Sequence, residues 1–485
     1  VIVNNAHLIL GTGQYLKRIK EHPYIGRCAV SLTDIPINII DELNMHRDNS
    51  RGQNVEVDYY FEVENEGKPM EGLKKAAKML LEHGTLKPWH SEGDIYTAKP
   101  AGYDEYMSWA TDIRLLGYNG QEGIEAGIVT IAYPLFFFDK TDDGSFPLAQ
   151  LLMSIASEPF SAFSFYRGAR IADTRFPDSL KKRFPGIKWP HNRIRKYLNI
   201  NPGEPIIGTI VKPKTGLTPE LFSRAVVEAA LAGARFTKAD ENMHMSLKDI
   251  PKFVERTVND LQREGFDLGQ ENDSPKGPRF LFAPHITAEP KDMMDYARAA
   301  VESGANALMF SPYYGGGFQK LAEIVERFDI PVYSHTAGMN VYTGAYNWGI
   351  DPSIMYRFAA YFGAAFMQLT AVNGYLKPDD TEKKYILEKL KSEKLEGNEG
   401  MTLVIAGGVG PQNIGINIEA LGIEGRMFLA GTSVYSHPDG TSAGVKAIML
   451  AYRAYCEKGI TDTGGLVEFG KAMGKEGTYL VNALK

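Results

Sequence analysis

From Pro205 onward the sequence repeats one pattern, a short β-rich run ending in small or polar residues and then a segment with helical spacing of apolar residues. Eight such runs occur, at Ile206 to Lys212, Arg235 to Asp240, Phe280 to Thr287, Ala307 to Ser311, Pro331 to Thr336, Phe366 to Thr370, Leu403 to Gly408 and Met427 to Gly431. Between them, Pro219 to Leu231, Leu247 to Arg263, Pro290 to Glu302 and Gly444 to Lys458 carry apolar faces of helical period, and Thr218 before Pro219 is a helix-start signal. Eight strand–helix units in about 230 residues have the size of a (β/α)8 barrel. A doubly wound open sheet also alternates strand and helix, but eight units in one run favour closure.

The 485 residues leave room for more than the barrel. Residues 1–200 mix strand and helix signals: Asn54 to Val63 is β-rich, Met70 to His83 has helical spacing, and Gly127 to Phe138 is a buried-strand candidate. This predicts an N-terminal α+β domain over 1–200, a barrel over 201–460 and a helical extension over 461–485, with a polar linker around Phe184 to Pro205. The 44% apolar and 23% charged composition excludes a disordered or fibrous chain. The net charge of −6, without long blocks of like charge, gives no reason to expect nucleic acid as a partner. Cys28 and Cys456 cannot build a disulfide framework or a thiolate zinc site, which fits a cytoplasmic setting. Apolar runs such as Ile128 to Phe138 and Thr402 to Val409 fall short of the ~20 residues of a membrane helix, so no membrane association is expected. The chain opens on Val1 rather than Met, which is compatible with a removed leader.

Active sites of such barrels lie at the C-terminal ends of the strands. The first run ends in Lys212-Pro213-Lys214 and the second in Lys238-Ala239-Asp240-Glu241; the third contains His285, the fifth His335 and the sixth Gln368. The seventh and eighth end in Gly407-Gly408 and Gly431-Thr432-Ser433, turns whose backbone N–H groups suit a phosphate or simply a tight bend. Lys238 and Asp240 share one strand face, as do Lys212 and Lys214. A lysine beside two carboxylates is compatible with an ordinary buried salt bridge. It is also compatible with a hard-metal site, in which Asp240, Glu241 and a carbamylated Lys238 hold Mg2+, or with a Schiff-base lysine. Lys212 or Lys214 facing such a site would handle protons at a carbon next to a carbonyl.

Taken together these residues resemble the large subunit of ribulose-1,5-bisphosphate carboxylase/oxygenase, RuBisCO, and its RuBisCO-like relatives. GTIVKPKTGL (Gly208 to Leu217) is similar to the family's strand-1 motif and FTKADEN (Phe236 to Asn242) to its strand-2 metal motif. Thr287-Ala288, IAYP (Ile131 to Pro134) and HPDGTSAG (His437 to Gly444) extend the likeness. The resemblance implies a ferredoxin-like α+β domain before a (β/α)8 barrel, and Lys238 carbamylated by CO2 with Asp240 and Glu241 as Mg2+ ligands. It also implies Lys212 and Lys214 as the proton-handling pair, His335 near the substrate and Thr85 at a phosphate. A homodimer or higher homo-oligomer would build each site at the subunit interface.

The departures from the family pattern bear on the reaction. Thr336 stands where the carboxylases have an arginine, Met339 and Gln368 replace histidines, and Ala406 replaces a serine; those positions belong to one of two phosphate sites. Losing a bidentate guanidinium is not conservative. The loop AVNGYLKPDD lacks the glycine-lysine pair and leaves Lys377 as the stand-in; Leu80 replaces a glutamate, and Glu158 an asparagine, which offers an extra acid or base. The expectation is therefore a RuBisCO-like enolase, tautomerase or isomerase acting through an enediolate on a sugar-derived keto substrate with one phosphate. Open alternatives are a decarboxylase or transcarboxylase, a class I aldolase, true carboxylation, and a non-catalytic sensor.

Overall fold

The computed structural model describes residues 54–65, 67–84, 101, 107–120, 123–138, 141–156, 160, 163–271, 274–376 and 380–485. Among them the chain forms thirteen strands: β1 (Asn54–Glu64), β2 (Trp109–Asn119), β3 (Ile124–Pro134), β4 (Tyr166–Arg175), β5 (Ile206–Ile210), β6 (Phe236–Lys238), β7 (Leu281–Ala283), β8 (Leu308–Phe310), β9 (Val332–Ser334), β10 (Trp348–Ile350), β11 (Phe366–Thr370), β12 (Thr402–Ala406) and β13 (Arg426–Ala430). They fall into two units, one reaching to Phe184 and including Met339–Met355, the other comprising Pro185–Gly338 and Tyr356–Lys485.

The first unit is an α+β layer. Its sheet has the order β10-β4-β1-β3-β2, antiparallel except that β10 runs parallel to β4. The central β1 is buried at almost every position, Asp58 and Glu62 included, so the partial alternation of its sequence does not mark an exposed face. The helix Glu71–Gly84 packs on this sheet. A Cβ on Gly127 would lie 2.4 Å from a methyl of Leu73 and 2.4 Å from the Arg114 carbonyl, so the helix reaches the sheet only over a glycine. Buried Glu125 of β3 accepts the backbone N–H groups of Met70 (2.7 Å) and Leu73 (2.6 Å), satisfying amides at the helix start. The predicted run Gly127 to Phe138 leaves the sheet early, because Pro134 lacks a ladder donor and Leu135–Phe138 turns into a 3-10 helix.

The second unit is the barrel. Eight strands neighbour one another in the order β7-β6-β5-β13-β12-β11-β9-β8, and every laddered pair is parallel. Between β7 and β8, backbone bonds from Ala307 to Phe282 (3.2 Å), Met309 to Pro284 (3.0 Å) and Ile286 to Met309 (2.9 Å) bring the ends together. All eight runs read from the sequence form strands. Several stop sooner at their C-terminal ends, β5 at Ile210 and β7 at Ala283, each ahead of a proline. Inward side chains fill the barrel, among them Ile206, Phe236, Leu281, Met309, Tyr333, Phe366, Val404 and Met427. A side chain at Gly208 would meet Leu429 (2.8 Å) and Phe236 (3.1 Å), so that glycine makes room for the larger residues of the same layer.

Helix Pro219–Leu231 begins as expected, with the Thr218 hydroxyl accepting from Leu221 N–H (3.3 Å). Beyond residue 461 two helices form, Thr463–Ala472 and Thr478–Ala483, separated at Gly474 in the left-handed region, and both pack against Thr441–Lys458. Among the described residues no helix is long and apolar enough to cross a membrane.

The polar stretch before the barrel holds the helix His191–Leu198, whose Ile194, Tyr197 and Leu198 join the barrel core from its N-terminal side. His191 is wholly buried; its Nδ1 lies 3.0 Å from the Thr402 hydroxyl, and its Nε2 has no partner among the described residues. Burial, with repulsion from Arg195 and Arg426, pushes its pKa down to about 3. The folded protein therefore holds this ring neutral, and the unfolded chain takes up the proton first, below the ordinary histidine pKa of about 6.5. The stability this contributes is complete above that value and is lost as pH falls toward 3. Between pH 7 and pH 5 the loss should be about 2 kcal/mol. Urea unfolding at both pH values should show this extra loss in the wild type and not in His191→Asn; equal losses would refute the assignment.

Candidate active site

β6 ends at Lys238, whose side chain points into the barrel and is wholly buried. Its Nζ lies 5.7 Å above the Tyr333 ring, which stacks with Phe236 and Phe366 to form an apolar floor. The amine donates to the Ala239 carbonyl (3.2 Å) and the Glu241 carboxylate (3.4 Å). Burial lowers its pKa against the pull of Glu241 and Asp240, and the balance falls at about 8. Because the ladder stops at Lys238, the next residues leave the strand and both carboxylates turn back to the mouth. Asp240 is buried and ion-paired with Lys212, while its Oδ1 accepts from the Asn242 N–H (3.0 Å) and side-chain amide (3.2 Å).

Burial pushes both carboxyls up, yet both lie below the ordinary range. For Asp240 the hydrogen bonds from Lys212 and Asn242 win; for Glu241 the bond from His335 and the charge of Lys238 win. The site thus holds two firmly ionised carboxylates. His335 follows β9. Its Nδ1 accepts the Ala337 N–H (3.1 Å), so the proton sits on Nε2, which faces Glu241 Oε2 at 3.3 Å. Burial, then Lys238, lowers its pKa. His285 extends the line of β7 beyond Ala283, which pairs with Lys238 in register. Its Nδ1 donates to the Met243 carbonyl (3.2 Å), and burial pulls its pKa down to about 4.

Lys212, Lys238, Asp240, Glu241 and His335 are thus brought into one network, with His285 beside it. Gln368 of β11 lies in the floor layer, where its side-chain oxygen faces the Tyr333 hydroxyl at 3.4 Å. Lys214 does not join. With β5 ending at Ile210, the alternation that would have paired it with Lys212 no longer applies, and it lies exposed in the following turn. Gly431 lies beside Lys212, where a Cβ would come 3.3 Å from Lys212 Cε, and Thr432 opens the short helix Thr432–Tyr435.

Gly407 and Gly408 both have positive φ, and their open faces are covered by residues 374–376: a Cβ on Gly408 would lie 2.8 Å from Tyr375 N, and one on Gly407 2.8 Å from Leu376. Thr85, Glu158 and Lys377 lie outside the described residues. The motif reading missed four groups that shape the mouth. Asn242 positions Asp240, Tyr333 forms the floor, and the buried Asn413 and Asn417 hold the loop after β11 through Asn373 O (3.2 Å) and Val372 O (3.0 Å). Asparagines at i and i+4 near the start of a helix were the available signal.

Among the described residues no three His, Cys, Asp or Glu side chains approach closely enough to hold a metal. The donor set nevertheless fits a hard divalent cation once Lys238 is counted as an oxygen donor. Both carboxylates already neutralise cationic amines, and an amine with a pKa near 8 keeps part of its population in the neutral form that adds CO2. Lys238 as its carbamate, Asp240 and Glu241 are the residues that would hold Mg2+.

The chain is similar to several known proteins. The chain is 28% identical over 400 residues to the ribulose bisphosphate carboxylase of Methanocaldococcus jannaschii, covering 80% of this chain and 89% of that one. It is 25% identical over 334 residues to the 2,3-diketo-5-methylthiopentyl-1-phosphate enolase of Bacillus thuringiensis, covering 68% and 76%. The crystal structure of octameric ribulose-1,5-bisphosphate carboxylase/oxygenase from Pyrococcus horikoshii superposes with a TM-score of 0.75 at 22% identity, over 92% of this chain and 96% of that one. The family model of the ribulose bisphosphate carboxylase large chain, catalytic domain, matches residues 192–464, more than half of the 485, and the chain belongs to that family.

Proposed function

We propose that this protein is a RuBisCO-like, Mg2+-dependent enolase, tautomerase or isomerase acting on a sugar-derived, singly phosphorylated keto substrate through an enediolate. The observation that carries the reading is the buried Lys238 with two ionised carboxylates immediately after the strand end, where nothing in barrel packing requires them. Likeness to both a ribulose bisphosphate carboxylase and a 2,3-diketo-5-methylthiopentyl-1-phosphate enolase supports this reading. The choice between them rests on Thr336, Met339, Gln368 and Ala406, none of which supplies the cationic, bidentate grip a second phosphate calls for. The octameric Pyrococcus relative supports a homo-oligomer.

When bound, Mg2+ would supply Lewis-acid polarisation of the substrate carbonyl. The chain's own residues do the rest. Lys212, steadied by Asp240, offers a proton to the enediolate oxygen. His335 holds the orientation of Glu241, and the Tyr333, Phe236 and Phe366 floor keeps water from below.

Two measurements test the reading. Calorimetric Mg2+ binding should tighten with bicarbonate in the wild type, and that response should vanish in Lys238→Ala; a bicarbonate response that survives the substitution would exclude the carbamate. Solvent-deuterium exchange into 2,3-diketo-5-methylthiopentyl 1-phosphate and ribulose 1,5-bisphosphate should be catalysed on at least one, with no fixation of labelled bicarbonate. Stoichiometric label in an acid-stable product would instead establish a carboxylase.

A further inference from the structure

The turn after β13 forms one wall of the barrel mouth. Gly431 lies against the carbon stem of Lys212, and its carbonyl accepts the backbone N–H groups of Val434 (2.9 Å) and Tyr435 (3.1 Å), which closes the short helix Thr432–Tyr435. Two side chains tie this helix inward. The Ser433 hydroxyl donates to the Val409 carbonyl (2.7 Å), just beyond the glycine pair after β12, and the Tyr435 hydroxyl donates to Thr209 of β5 (3.1 Å), which pairs in turn with Thr237 of β6 (2.7 Å). The chain then runs on through His437-Pro438-Asp439-Gly440, the start of the family-like segment His437 to Gly444, which the metal-site chemistry leaves without a role.

His437 joins this turn to the last helix. Its side chain is 0% exposed. The Asp439 N–H donates to Nδ1 (3.0 Å), and the Tyr479 carbonyl, 2.9 Å from Nε2, can only accept, so both bonds require the same tautomer, with the proton on Nε2. Tyr479 belongs to helix Thr478–Ala483. A second tie runs from Asn482 of that helix to Asp439 (2.7 Å), and Lys446 of helix Thr441–Lys458 lies 5.3 Å over the Tyr479 ring. A Cβ on Gly444 would lie 2.5 Å from the Val434 carbonyl oxygen, so helix Thr441–Lys458 meets the short helix backbone to backbone, with no side chain between them to absorb a shift. None of these bonds involves a group that would hold the metal.

We propose that His437 is a positioning residue of the barrel mouth, through which the helix Thr478–Ala483 holds the turn Gly431–Tyr435 against Lys212. Ser433 and Tyr435 fix the inner side of that turn. His437 fixes the direction in which the chain leaves it, because Nδ1 shapes the bend at Asp439 and Nε2 anchors the bend to a carbonyl of the last helix. Released from Tyr479, the bend would keep only the exposed tie from Asn482, and Gly431 would be free to draw away from the Lys212 stem. A group that must meet a reacting atom to within about half an ångström needs such support from behind. The catalytic consequence rests on the enolisation reading, in which Lys212 moves a proton; the hold on the turn does not.

Two substitutions separate the roles of the two ring nitrogens. His437→Asn keeps an acceptor for the Asp439 N–H, as in an Asx turn, and is too short to reach Tyr479. His437→Gln places an N–H donor where Nε2 stood and keeps that tie. Amide hydrogen exchange of the full chain, read by mass spectrometry over residues 432–436, should be about tenfold faster in His437→Asn and within about threefold of wild type in His437→Gln. Solvent-deuterium exchange into the same two sugar phosphates, with Mg2+ and bicarbonate present, should lose about tenfold in kcat/KM in His437→Asn and return to within about threefold in His437→Gln. Amide exchange equal in His437→Asn and wild type overturns the proposal, as does a Gln variant as loose as the Asn variant. A loosened turn with unchanged substrate exchange removes the positioning role. A wild type silent on both compounds removes the enolisation reading, and amide exchange alone then decides the hold. If His437→Asn fails to fold, Asn482→Ala severs the exposed second tie and should raise exchange at the same amides about threefold; an unchanged rate there overturns the hold.

Discussion

An amine enclosed on all sides at the end of β6 is the constraint around which the barrel mouth is arranged. A charged lysine is costly in an apolar interior unless it is paired. Lys238 sits on the aromatic floor of Tyr333, Phe236 and Phe366, and its relief comes from Glu241, the nearest carboxylate the chain can deliver once the strand has ended. That delivery depends on β6 being only three residues long. A ladder that continued through Glu241 would send that residue to the outer face by alternation. Glu241 in turn fixes His335, and Asp240 fixes Lys212, so two strand ends and the turn after β9 are tied through two adjacent carboxylates.

The barrel could be read from sequence because each strand is short and β-rich, and each connection carries a helical period. The same short-range signal misjudges where strands stop. Alternation continues through Lys212 and Lys214, whereas hydrogen bonding to β6 and β13 ends near Ile210, so the step that would place Lys214 beside Lys212 fails. Phe280 to Thr287 reads as one strand for the same reason. Pro284 interrupts it, and only an isolated bridge at His285 carries the strand direction onward. Ladder ends are set by the neighbouring strand, which periodicity within one segment does not contain.

The site was partly legible. Lys238, Asp240 and Glu241 are adjacent in sequence, so their meeting follows from one strand end. The tautomers of His285 and His335 were not legible, because each depends on a carbonyl or N–H group placed by a loop: Met243 O for one ring and Ala337 N–H for the other. Two histidines that look equivalent as strand-end residues therefore carry their protons on opposite nitrogens, Nδ1 in His285 and Nε2 in His335. The glycine pair Gly407-Gly408 carried two readings of equal standing, phosphate cradle and tight turn. The backbone of residues 374–376 lies against both glycines, and a buried asparagine pair holds the base of that loop, a long-range fact that no local pattern announces.

Charge balance links this geometry to the choice of substrate. In the structure the two cations Lys212 and Lys238 are matched by the two anions Asp240 and Glu241, so the inner site carries no surplus of either sign. On the proposed reading, conversion of Lys238 to a carbamate turns a positive group into a negative one, and a divalent cation restores the balance. The inner site is neutral in either state. A doubly phosphorylated substrate brings several negative charges, which need additional fixed cations such as a guanidinium, and on the proposed reading this chain carries Thr336, Met339, Gln368 and Ala406 at the positions that would grip the second phosphate. A substrate with one phosphate and an enolisable carbonyl asks less of the protein. The metal answers the carbonyl, and the phosphate can be met by N–H dipoles without a dedicated arginine. On the proposed reading, Thr336, Met339, Gln368 and Ala406 remove the grip on a second phosphate, while Lys238, Asp240 and Glu241, the residues that would hold the metal, are all retained.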